Sequence, residues 1–131
     1  MNYVIDTSAA VDIILKKGNY SIFVDALDSA DVVITPELFV SEIANVAWKY
    51  YRLADFSFEQ CMQLSQDGIN LIDQFIPSKE LWKEALQDAI RNNHPVYDCL
   101  YLVCARRNGA ILLTKDKKLQ QICDKADIPL I

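Results

Sequence analysis

A chain of 131 residues is long enough for one domain with a buried core and too short for two. Its 52% apolar composition suits a covered sheet. No apolar stretch nears the roughly 20 residues of a membrane span, and the N-terminus lacks the basic, apolar and small-residue pattern of a signal peptide, so a cytoplasmic protein is expected. A net charge of −5 argues against a general coat for nucleic acid, though not against a nuclease whose acids hold a metal. Cys61, Cys99, Cys104 and Cys123 show no C-x-x-C spacing, and His94, the only histidine, forms no zinc pattern with them. In a reducing compartment these cysteines read as small core hydrophobes.

Short apolar runs alternate with amphipathic stretches, which predicts βαβ units, a mostly parallel sheet and a single domain over residues 1–131. Residues 2–6 read as the first strand, followed by a helix over about 8–16, a short helix over 20–29 and a strand over 32–34. Thr35-Pro36-Glu37 carries the signals of a helix start: a hydroxyl cap, a first-turn proline and an acid near the positive dipole end. That helix is expected to reach Arg52. Ser57 and Gln60 have capping-box spacing for the next helix, which is expected to weaken near Asp67-Gly68. A strand over 71–76, a helix over 78–92 and a helix from Pro95 to the Asn108-Gly109 stop come next. Ala110–Thr114 reads as a buried strand, 117–126 as the last helix and 129–131 as an edge strand.

Four acids stand out against this pattern. Asp6 ends the first strand, where Thr7 or Ser8 could cap the following helix as well, so its charge points to a ligand role. Glu42 lies at the border of the stripe Phe39, Val40, Ile43, Val46, Ala47 and Tyr50. Asp98 opens a helix that is apolar all round, and Tyr101, Leu102 and Ala105 at i+3, i+4 and i+7 offer it no cation. Its dipole-favoured position offsets only about 1 kcal/mol, less than the desolvation of an unpaired carboxylate. A partner from elsewhere is expected, and a cation shared with Asp6 would serve. Asp116 follows the buried strand as a turn or cap residue or a further ligand.

If both runs are parallel strands, Asp6 and Asp116 emerge at one carboxyl edge, where open α/β sheets bind ligands. Crowded carboxylates repel unless something positive sits among them. Hard oxygen donors without histidine or cysteine suit Mg²⁺ or Mn²⁺ rather than zinc. Lys115, Lys117 and Lys118 flank Asp116, where contact with phosphate competes with a plain solvated face. Trp48, Tyr50, Tyr51 and Trp82 could stack on bases, but packing is the more economical reading.

Four segments carry a family resemblance: Val4-Ile5-Asp6-Thr7-Ser8, residues 36–46 around Glu42, Tyr97-Asp98-Cys99-Leu100-Tyr101, and Leu113-Thr114-Lys115-Asp116-Lys117-Lys118-Leu119. In this order and spacing the chain resembles the PIN-domain ribonucleases, and within them the VapC-type toxins of toxin–antitoxin pairs. The resemblance implies a three-layer α/β/α sandwich around a mostly parallel sheet of about 4–5 strands. It implies a Mg²⁺ or Mn²⁺ site of Asp6, Glu42, Asp98 and Asp116, supported by the hydroxyls of Ser8 and Thr114. It further implies endonucleolytic cleavage of RNA by metal-activated water, leaving a 5′-phosphate and a 3′-hydroxyl. A homodimer and a small antitoxin protein are the implied partners, with no membrane. Cys99 departs from the alanine common after the third acid, a small change.

Rival enzyme classes fit less well. A haloacid-dehalogenase-like phosphatase needs a second acid two residues after the first, where Ser8 stands. A receiver domain needs an acidic pair after the first strand, where Asp6 is followed by Thr7. A PIN-like module that binds RNA or protein without cleaving is the remaining alternative.

Overall fold

The computed structural model describes all residues from Met1 to Ile131. Strands β1 (Asn2–Ile5), β2 (Val32–Pro36), β3 (Gln74–Ile76) and β4 (Ile111–Leu113) are interleaved with seven helices. These are α1 (Thr7–Leu15), α2 (Tyr20–Asp28), α3 (Leu38–Leu53), α4 (Phe58–Asn70), α5 (Ser78–Asn92), α6 (Val96–Arg107) and α7 (Lys117–Lys125). The sheet has the order β3-β2-β1-β4, and every pair is parallel, with Val4 opposite both Ile34 and Leu112.

Alternation along the strands divides the core into two layers. Val4, Ile34 and Leu112 face α5, α6 and α7, whereas Tyr3, Ile5, Val33 and Leu113 face α1, α2 and α3. The result is a three-layer α/β/α sandwich. Helix α6 lies across β1 and β2 and buries every residue from Cys99 to Ala105, which explains its all-round apolar sequence. Cys99, Cys104 and Cys123 are buried and unpaired, and Cys61 is half-buried.

Several boundaries differ from expectation for physical reasons. Thr35 and Pro36 finish β2 rather than opening α3. The Thr35 hydroxyl donates to the Ile5 carbonyl of the neighbouring strand, 2.7 Å away. Glu37 caps not its own helix but α5, accepting the Ser78 amide at 2.7 Å. Helix α4 runs through Gly68, which is buried against Ile43 of α3 so closely that a Cβ there would come within 2.9 Å of it. The capping box of Ser57 and Gln60 is formed. The last residues make only a bridge, Leu112 to Leu130, so four strands form the sheet proper. On α3, Phe39, Ile43 and Ala47 are buried, but Val40 is exposed.

Candidate active site

The connectivity draws the four acids to one edge. β1 and β4 are neighbours in the sheet and run the same way, so Asp6 after β1 and Asp116 after β4 leave it at the same carboxyl end. Helix α3 starts from that end of β2 and carries Glu42 on its second turn. Helix α6 feeds β4 from the opposite end, so its N-terminal turn, with Asp98, returns to the same edge.

Asp6 is the anchor. Its Oδ1 accepts the Ser8 hydroxyl at 2.7 Å and the Ala9 amide at 3.0 Å, so it also caps α1. Its Oδ2 accepts the Thr114 hydroxyl. The Asp116 amide donates to Thr114 Oγ1 at 3.0 Å, tying the third member of this chain to the loop after β4. Burial pushes the Asp6 carboxyl up to about 6 against the pull of its three donors, and the charge of Asp116 adds to the rise. Asp116 itself caps α7, with Oδ1 accepting the amides of Lys118 at 2.9 Å and Leu119 at 3.2 Å. The capping role weighed for each residue is therefore formed in both, and both carboxyls also lie at the acidic edge.

Glu42 and Asp98 form the second pair. Glu42 Oε1 accepts the Tyr101 hydroxyl and, at 3.3 Å, that of Thr7. Burial raises its carboxyl above the ordinary range, the two hydroxyls oppose the rise, and the nearby charge of Asp98 reinforces it. Tyr101 is fully buried, and desolvation with the adjacent Glu42 keeps its phenol protonated. Its oxygen also lies 3.4 Å from Thr7 Oγ1, so Thr7 and Tyr101 link the Asp6 and Glu42 halves.

Asp98 corrects the expectation of a carboxylate without a nearby partner. His94, at i−4, places Nε2 2.6 Å from Asp98 Oδ2, and the carboxylate retains 30% exposure. The partner precedes the helix, at a position the downstream neighbours could not show. His94 is brought there because Asn93 ends α5 in a left-handed turn, φ 50°, with the His94 amide bonded back to Ala89.

The flanking lysines divide. Lys117 and Lys118 are exposed, whereas the Lys115 ammonium lies 2.7 Å from Asp12 Oδ1, a carboxylate only 1% exposed. A polar groove of about 260 Å³ opens beside Thr7 and Glu42, lined along α3 by Ser41, Asn45 and Lys49. Thr7, Tyr101, His94 and Asp12 are thus site or site-adjacent residues that sequence reasoning missed. The hydroxyl of Thr7 beside Asp6 was the one legible signal among them.

No three acidic, histidine or cysteine side chains come close enough in this conformation to hold a metal ion ready-made. The donor chemistry nevertheless fits a hard cation. Glu42 Oε2, Asp98 Oδ1 and Asp116 Oδ2 accept no hydrogen bond from the protein, since the bonds each acid makes run through its other oxygen. Carboxylates desolvated beside a second acid, as Asp6 and Glu42 are, are those a divalent ion would stabilise.

The chain matches the family model for the PIN domain over residues 3–125. It is 26% identical over 126 residues to ribonuclease VapC3 of Pyrobaculum aerophilum, covering 92% of this chain and 94% of that one. Among solved structures, PAE2754 from Pyrobaculum aerophilum superposes with a TM-score of 0.72 at 21% identity, over 93% of this chain and 87% of that chain. VapBC-1 from nontypeable Haemophilus influenzae superposes with a TM-score of 0.69 at 14% identity, over 100% and 97%.

Proposed function

The chain belongs to the PIN domain family, and from that premise we propose that it is a divalent-metal-dependent endoribonuclease, the toxin of a toxin–antitoxin pair. The observation that carries this reading is that Asp6 and Asp116 form one acidic pair and Glu42 and Asp98 another at the same sheet edge, with Asp6 buried and its carboxyl raised to about 6. Structure without chemistry has little use for such an arrangement, because Asp6 and Glu42 are both desolvated and each faces a second acid. The ribonuclease name of the Pyrobaculum relative supports the activity.

Asp6, Glu42, Asp98 and Asp116 would hold Mg²⁺ or Mn²⁺, which when bound acidifies coordinated water and neutralises charge growing on a phosphate. Asp6 is oriented by Ser8 and Thr114, and Glu42 by Tyr101 and Thr7. A carboxylate with raised proton affinity, as in Glu42, suits the acceptance of a proton from attacking water. Lys117 and Lys118, and Lys49 in the groove, are exposed cations placed to meet RNA phosphates.

Two exposed apolar faces suit the partners. Between α3 and α4 a groove of about 300 Å³ is lined by Trp48, Tyr51, Phe58 and Met62, all exposed. A small antitoxin would cover it, since an exposed apolar groove of this kind suits a protein partner. Trp82, Leu86 and Ile90 form an exposed stripe at i, i+4 and i+8 along α5, suited to a second copy in a homodimer.

The side-chain conformations favour one other reading, a PIN-like module that binds RNA or protein without cleaving, because no three ligands stand ready for a metal. Cleavage of single-stranded RNA by purified protein decides between them. The expected outcome is activity with Mn²⁺, none with EDTA, and a loss of about 10²-fold or more in Asp98→Asn with folding intact. Activity that survives both EDTA and the substitution would belong to a contaminant and remove the enzyme reading.

A further inference from the structure

The most deeply buried acid of the chain is not one of the four. Asp12 is 1% exposed and stands two turns along α1 from Asp6. Its Oδ1 meets the Lys115 ammonium at 2.7 Å, while its Oδ2 is buried without a hydrogen-bond partner. That oxygen lies against Gly18, where a Cβ would come within 2.5 Å of it. Gly18 adopts φ +55°, so a side chain there would be both strained and obstructed. A carboxylate enclosed in this way depends on its one cation, because a buried charge deprived of its partner is strongly destabilising.

Lys115 sits between Thr114, which donates to Asp6, and Asp116. Its backbone is held as well, since its amide donates to Ser8 Oγ at 3.1 Å. Side chain and main chain of one residue therefore grip α1 at two points, Ser8 near its start and Asp12 further along. The grip fixes the loop that carries one candidate ligand, Asp116, relative to the helix that begins at another, Asp6.

We propose that Asp12 and Lys115 form a clasp that positions Thr114 and Asp116 against Asp6, and that Lys115 is a positioning residue rather than a phosphate contact. Were Lys115 to turn outward to RNA, Asp12 would stay behind, enclosed and unpaired. The proposal deepens the nuclease reading and rests on it for its consequence at the metal, while the geometry of the clasp can be tested by itself.

The full chain is compared with Asp12→Asn, Lys115→Met, Lys115→Arg and the double variant Asp12→Asn/Lys115→Met. Three measurements are made: amide exchange at Lys115 and Asp116 by NMR, Mn²⁺ affinity by calorimetry without RNA, and the salt dependence of binding to a single-stranded RNA oligonucleotide. Opening of the loop is expected to speed exchange at both amides by about tenfold in Asp12→Asn and in the double variant, with α5 amides unchanged. Mn²⁺ affinity is expected to fall roughly 10-fold or more in the same variants, as when outer-shell support of a metal ligand is removed. Lys115→Arg keeps a cation over Asp12 and is expected to retain wild-type exchange. Lys115→Met strands the Asp12 charge and is expected to melt lowest. The double variant removes both charges and regains stability without regaining the ordered loop.

Wild-type exchange in Asp12→Asn and the double variant would overturn the clasp. So would a drop of about one in the salt slope for Lys115→Met with Mn²⁺ affinity intact, the signature of a lost phosphate contact. A wild-type chain that binds no Mn²⁺ would instead sink the nuclease reading, and the exchange measurement would still decide the clasp.

Discussion

Asp6 joins two demands in one side chain: it caps α1 and it carries charge in a buried acidic site. The second demand has a pH signature. Its folded value of about 6 lies above the ordinary 3.8, so between those values the folded chain binds more protons than the unfolded one. Its contribution to stability is fully present below about pH 4, is lost as pH rises through 6, and is level above that. The span is about 3 kcal/mol. Asp6→Asn retains a capping side chain and removes the ionisation. In metal-free urea unfolding from pH 4 to 7, the variant is expected to gain on the wild type as pH rises. A gap between the two that stays constant with pH would show that Asp6 acts as a cap alone. Asp6 and Asp98 were legible as candidates because a charge at a strand end or in an all-apolar helix conflicts with its surroundings. The partners of the acids were not: Tyr101 meets Glu42 across 59 positions, and His94 reads simply as a loop residue.

At the scale of elements, the strands and helices followed from period and punctuation. α5 spans Ser78–Asn92 as its amphipathic pattern predicts, and the stop at Asn108-Gly109 is made by Gly109 at φ +55°. Departures arose where local chemistry served a neighbour instead. Thr35 and Pro36 look like a helix start, yet both belong to β2, the Thr35 hydroxyl is engaged by the adjacent strand, and Glu37 caps a helix 41 residues on. Gly68 looks like a weak point and is a close-packing point between α3 and α4. Gly68→Ala gains about 1 kcal/mol in helix propensity. It also forces Ile43 aside in a filled core, which costs roughly 1–3 kcal/mol. A net fall in Tm of several degrees is expected, and an equal or higher Tm would mean that α3 and α4 can separate there without cost.

For the whole molecule, the site is a compromise between folding and a charge that folding concentrates. A divalent ion that binds only the folded edge stabilises the chain by about 2.7 kcal/mol at a hundred times its Kd, a rise in Tm of roughly 10 °C for a domain of this size. Mn²⁺ is expected to produce that shift in the wild type and to lose most of it in Asp116→Asn, as read by thermal melting. An unchanged shift in the variant would remove Asp116 from the ligand set. With a net charge of −5, the proposed RNA contact would rest on local cations, and Lys49, Lys117 and Lys118 are exposed. The apolar face of α3 and α4 and the stripe on α5 are where the surface is least suited to water.

The order of short apolar and amphipathic runs was enough to specify a parallel sheet covered on both sides, because burying each run's apolar face leaves few arrangements. It was also enough to mark Asp6 and Asp98 as candidates, because an acid at a strand end or in an all-apolar helix contradicts its local setting, whereas Glu42 and Asp116 joined them through the family resemblance. Only the tertiary structure decided which oxygens are already engaged, that His94 stands against Asp98, and that Lys115 is held by Asp12. Those pairings join residues with no regular spacing, and they depend on which faces meet after the chain has crossed over the sheet.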